Sequence, residues 1–123
     1  MYGVPLNLDL SNLVGNGLNL LGLGKYDVQF NFDGSGIKIC VQGDISLLEK
    51  GELIATWNGE DNWSSLNFQK IINATVESFS VRNSKLIEIK FEQDIVLQLH
   101  DSSDQYETII IHFGGDSGVT EII

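Results

Sequence analysis

Cysteine, proline, histidine and basic side chains are all scarce in this chain. A single cysteine, Cys40, excludes an intramolecular disulfide. A single proline, Pro5, and only two alanines, set against thirteen glycines, favour strands and turns over long helices. Seven Lys and Arg face seventeen Asp and Glu, for a net charge of −10. A surface of that sign repels nucleic acid and anionic membranes, so neither is an expected partner. A basic protein is the expected one. No apolar run reaches membrane-spanning length and no basic segment leads into one, so the expected location is cytoplasmic.

Catalytic constellations are missing as well. The only histidines are His100 and His112. His100, with Asp101 and Asp104, offers at most a weak site for a divalent ion, and a solvated acidic turn is the simpler reading. Cys40 has no histidine base beside it in the sequence pattern, and no serine sits in a nucleophile elbow. Glycine pairs occur at Gly15/Gly17, Gly22/Gly24 and Gly34/Gly36, but none completes a dinucleotide fingerprint. Paired carboxylates (Glu60/Asp61, Glu92/Asp94, Asp101/Asp104) fall in expected turns, where nothing desolvates a general acid. The expectation is a non-enzymatic protein without metal or cofactor.

What the chain does have is alternation. Residues 85–113 read as strands with Ile87, Ile89 and Phe91, then Ile95, Leu97 and Leu99, then Ile109, Ile111 and Phe113 on one face. Glu92-Gln93-Asp94 and Asp101-Ser102-Ser103-Asp104 are the expected turns of this three-strand meander. Upstream, Val28, Phe30 and Phe32 alternate with polar residues. Asp33-Gly34-Ser35-Gly36 then forms a hairpin turn into Ile37, Ile39 and Val41. Gly43 and Asp44 mark a bulge or bend before residues 45–48, and Lys50-Gly51-Glu52 turns into residues 53–57. Leu18 to Leu23 is a further strand weakened by Gly22 and Gly24. Asp9 or Ser11 is placed to cap a short turn, and Ser64 or Ser65 a short helix through Lys70. A short terminal strand is expected over 119–123.

These signals define one domain, residues 1–123, of mainly β class. Antiparallel meanders of seven or eight strands would form a sandwich or a curled half-barrel with one or two short helices. Two similar halves are also suggested, 13–57 and 71–113. Leu18, Leu21 and Leu23 fall on Val76, Phe79 and Val81. After a one-residue insertion, Val28, Phe30 and Phe32 fall on Ile87, Ile89 and Phe91.

Two stretches stand out as binding candidates. Trp57 and Trp63 flank the polar interval NGEDN, with Glu60 and Asp61 between them. Exposed, they would combine aromatic anchors with charge for a basic partner. Packed, either tryptophan would plug the end of the sheet. Tyr106 and Glu107 open the last long strand, and Glu107 is in phase with Ile109. Arg82, Lys85, Lys90 and Trp57 are the alternative set, for an anionic small molecule.

MYGVPLNLDLSNLVG, KYDVQFNF and LIEIKFEQDIVLQLHDSSDQYETIII together resemble a group of small bacterial β-rich proteins. These carry a hairpin of the form L-x-I-x-F-x(3)-I-x-L followed by Tyr-Glu. This chain has Glu-Gln-Asp where that hairpin usually turns on Asp-Gly or Asn-Gly, and Thr-Ile follows Tyr106-Glu107. Several families of that look are immunity proteins of polymorphic toxin systems. The resemblance implies a non-enzymatic, toxin-neutralising binding protein; a protein that sequesters a small molecule or nucleotide is the alternative.

Overall fold

The computed structural model describes residues 4, 6–32, 34, 36–58, 66–72, 74–101, 108–113 and 120–122. Alternation becomes strand almost everywhere it occurs in the sequence. The ten strands are β1 (Leu18–Leu23), β2 (Val28–Phe32), β3 (Lys38–Val41), β4 (Ile45–Glu49), β5 (Glu52–Trp57), β6 (Val76–Asn83), β7 (Leu86–Phe91), β8 (Ile95–His100), β9 (Ile109–His112) and β10 (Thr120–Ile122). They form two antiparallel five-stranded sheets in a sandwich, one ordered β1-β2-β3-β9-β10 and the other β5-β4-β8-β7-β6. The inward side chains of both sheets make one buried cluster, including Phe30, Ile39, Ile111, Leu47, Ile89 and Leu97. Burial on one face and water on the other is what period-two alternation encodes. Phe32 and Phe91 stack within this core, with ring centroids 6.5 Å apart and planes inclined by 18°.

Helix is confined, among the described residues, to two 3-10 turns, Ser11–Leu13 and Leu66–Ile71. The second stands where the sequence suggests a helix through Lys70. At the first, Asp9 Oδ1 accepts the Ser11 N–H at 2.9 Å. The Ser11 hydroxyl first, and this N–H second, hold the Asp9 carboxyl below the usual carboxylate range.

Two expectations need correction: the described residues form ten strands where seven or eight are expected, and the order of the last stretch differs. The segment 85–113 is not a single meander. β7 and β8 pair as a hairpin, but β9 leaves for the other sheet, where it lies between β3 and β10. The three-strand meander is instead β6-β7-β8, matched in the other sheet by β1-β2-β3. Alternation is blind to this choice, because a strand alternates alike in either sheet of a sandwich. The bend at Gly43 and Asp44 is likewise the point where the chain changes sheets, from β3 to β4.

The strand orders show the same path taken twice. Substituting β6 to β10 for β1 to β5, and β1 to β5 for β6 to β10, converts one sheet order into the other. Each half lays down three strands in one sheet and then sends two across. The correspondence reaches details: β1 is bulged between Leu18 and Leu20, and β6 between Val76 and Ser78. Asn16 N–H donates to the Leu13 carbonyl at 3.0 Å, and Ala74 N–H to the Ile71 carbonyl at 3.1 Å. At the two crossings, Gln42 N–H donates to the Thr108 carbonyl at 2.7 Å, and His100 N–H to the Asp44 carbonyl at 3.0 Å.

Candidate functional site

The crossings define one end of the sandwich, and the candidate site lies there. It starts from β4, whose inward residues are Ile45 and Leu47 and whose outward residues include Ser46. β4 lies between β5 and β8, with Ile45 opposite both Trp57 and Leu99. Inward orientation follows for Trp57, which is 1% exposed. Trp57 is therefore not a free aromatic anchor: the indole plugs the end of the core, and its Nε1 has no hydrogen-bond partner among the described residues.

Outward-facing polar groups collect above it. Ser46 pairs in register with Thr56 on one side and Gln98 on the other. His100 reaches diagonally to Ser46, with Nε2 and Oγ 3.3 Å apart. Asp44, Ile45, Ser46, Thr56, Trp57, Asn58 and His100 line an open cleft of about 340 Å³. Its polar groups can hold a small hydrogen-bonding ligand. A serine and histidine at this distance is also the start of a nucleophilic pair, but activation needs a third group to orient the imidazole. The histidine's own neighbours are the Asp44 carbonyl at its backbone and Ser46 at its ring.

Next to His100 the chain turns inward. Asp101 is 2% exposed, and its Oδ1 accepts the Thr108 hydroxyl at 2.7 Å. Its Oδ2 has no partner among the described residues. This buried bond joins the two ends of the second crossing, across 102–107. Asp101 is thus a clamp, not a solvated turn residue.

Glu60, Asp61, Trp63, Tyr106 and Glu107 lie outside the described residues, as does Asp104. What is described is where their segments are rooted. Trp57 ends β5 and Asn58 follows it, His100 ends β8 and Asp101 follows it, and the start of β4 lies between them. Two strand spacings, about 10 Å, therefore separate the roots of the two candidate stretches. The sequence offers no sign of that proximity, nor of the cleft's Ser46, Thr56 and Asp44, because only cross-strand register assembles them.

The alternative set is brought together only in part: the Lys85 carbonyl accepts the Asp101 N–H at 2.9 Å, next to the cleft's His100. Trp57 lines the cleft described above. Lys90 lines a separate one, with Lys50, Gly51, Asp94 and Val96. Arg82 is bonded to Glu88 at 3.2 Å, and Lys90 lies 4.0 Å from Glu77 and 3.9 Å from Asp94. Cys40 is half-buried on the outer side of β3, and burial pushes its thiol above the ordinary range.

Among the described residues, no group of three or more His, Cys, Asp and Glu is arranged to hold a metal ion, and no helix is long and apolar enough to cross a membrane. Comparisons with family models, curated proteins and solved structures find no match to this chain.

Proposed function

We propose that this is an acidic cytosolic binding protein that neutralises a basic protein partner, in the manner of a toxin-immunity protein, and that the end of the sandwich carrying both crossings is its binding face. The observation that carries the reading is the shared root of two acid-bearing segments. One holds Glu60 and Asp61, the other Asp104 and Glu107, and Asp44 lies exposed between their bases. In a chain of net charge −10, such a concentration steers a basic partner toward one end.

The test is whether a gene beside this one encodes a basic protein, and whether the two proteins associate. Glu60→Gln with Asp61→Asn should leave the fold intact, slow association and flatten its salt dependence. Unchanged association rates at low salt would remove this segment as the steering site. Absence of any binding by the parent protein would remove the reading altogether.

The polar cleft supports a second reading, a protein that sequesters a small molecule. Asp44 in its wall and the engagement of Arg82 and Lys90 with acids weigh against an anionic nucleotide. Mass spectrometry of the denatured, freshly purified protein would show a retained ligand.

A further inference from the structure

The register of β5, β4 and β8 lays a grid of polar side chains over the outer face of their sheet. Ser46 stands opposite Thr56 on one side and Gln98 on the other. One step nearer the crossings, the His100 N–H donates to the Asp44 carbonyl at 3.0 Å, which carries the same register past the end of β4. Asp44, Ser46, Thr56 and His100 therefore share one outer face, and Asn58, two residues beyond Thr56, extends it. They are the polar wall of the cleft of about 340 Å³.

Charge and hydrogen-bonding capacity set what this wall can receive. Among the described residues, Asp44 is the one acid or base in it, and it is exposed. The hydroxyls of Ser46 and Thr56, the side-chain carbonyl of Asn58 and a ring nitrogen of His100 can each offer a lone pair beside it. Asp101 follows His100 in the chain and is 2% exposed, with Oδ2 unpartnered among the described residues. Salt screens a buried carboxylate weakly, so Asp101 adds negative potential at this end of the sheet. Lys85, whose carbonyl holds the Asp101 N–H, stands at the margin of the cleft and not in its wall. Arg82, two strands from β8, is taken up by Glu88.

We infer that the cleft receives one cationic side chain of a basic partner, an arginine in preference to a lysine. The inference rests on the basic-partner reading above. A guanidinium is planar and fans out five N–H donors, so it meets acceptors on neighbouring strands, about 4.8 Å apart, at the same time. An ammonium sets its three donors around a single point. An anion would meet Asp44 with like charge, and an apolar side chain would strip water from the wall without replacing its hydrogen bonds. The acid-bearing segments thus steer the partner in, and the cleft retains one residue of it.

The experiment titrates N-acetylarginine amide into the isotope-labelled full chain and follows its backbone amide resonances. Saturable shifts should centre on Asp44, Ser46, Thr56 and His100. N-acetyllysine amide should bind more weakly, by about threefold or more. Asp44→Asn, at an exposed position, should keep the native melting profile and weaken arginine binding by about tenfold or more, and Ser46→Ala by a smaller factor. Glu52→Gln removes the same charge from the other end of β5 and should leave binding unchanged. Shifts that spread over the acidic surface without saturating overturn the inference. So does a loss in Glu52→Gln equal to that in Asp44→Asn, or lysine bound as tightly as arginine. The underlying reading fails separately. A neighbouring basic protein that does not associate removes that reading, whereas one that associates and is indifferent to Asp44→Asn removes only the cleft.

Discussion

The two halves of this protein follow one path and diverge in three places. Their turns differ first. Between β2 and β3 the chain turns on glycine, with Gly34 at φ +79° and Gly36 at +74°. Between β7 and β8 it turns without glycine, and Gln93 and Asp94 take φ values of +66° and +59°. The crossings differ next. The first, residues 42–44, is short and includes the buried Gly43. The second, 101–108, is longer and is closed by the buried Asp101–Thr108 bond. The leading edges differ last, β6 being charged and β1 bare. A shared path thus leaves room for local specialisation, because the core asks only for inward apolar residues while turns, crossings and edges face water.

The largest effects should test the equivalence itself. Phe32 and Phe91 end corresponding strands and stack on each other, so Phe32→Ala and Phe91→Ala should each cost about 3–5 kcal/mol in urea unfolding. Costs differing by more than about 2 kcal/mol would show that one half carries the core and the other follows. The crossings should separate by a smaller amount. Thr108→Val strips the donor from a buried carboxylate and should cost about 1–3 kcal/mol. Gln42→Ala, at the exposed start of the first crossing, should stay within about 0.5 kcal/mol.

The turns should respond with opposite signs. Gly34→Ala places a Cβ 2.6 Å from Asn16 Oδ1 at a left-handed residue, and should lower stability by about 1–2 kcal/mol. Gln93→Gly relieves the same backbone demand and should raise stability by roughly 0.5–1 kcal/mol.

The smallest effect is chemical. Burial raises the Cys40 thiol, so the native protein should alkylate more slowly than the unfolded chain at the same mildly alkaline pH. Since the folded-state value lies above the unfolded one, the associated stability is present below the unfolded thiol's pKa. It is lost as pH rises through the folded one. Equal labelling rates would show that the outer side of β3 is more open than its neighbours imply.

Much of this architecture is written in local pattern. Val28, Phe30 and Phe32 alternate because alternate side chains must reach one core, and the glycine-rich turn after them forces a hairpin. Partner choice is not local. Nothing in Ile109, Ile111 and their neighbours says that they will meet Ile39 and Val41 and not Leu97 and Leu99, since both neighbourhoods are equally apolar. The candidate site was legible only as segments. WNGEDNW drew attention because tryptophan beside acids is unusual, yet Trp57 continues the inward phase of Ala55 and is core. His100 and Ser46, far apart in sequence, meet only because β8 is laid beside β4.

The exchange of strands between halves also sets a timetable. β3 reaches its partner β9 only when residues 109–112 have left the ribosome, and β4 waits in the same way for β8. Until then the first half holds a three-strand meander with an unpaired apolar strand at its inner margin, and a hairpin with no sheet to join. Neither half can be finished before the other is made. Long-range pairing of this kind slows folding and prolongs exposure of open strands. The nascent chain is therefore most at risk just before residues 109–112 emerge, when most of this core has been made and the strand that joins β3 has not.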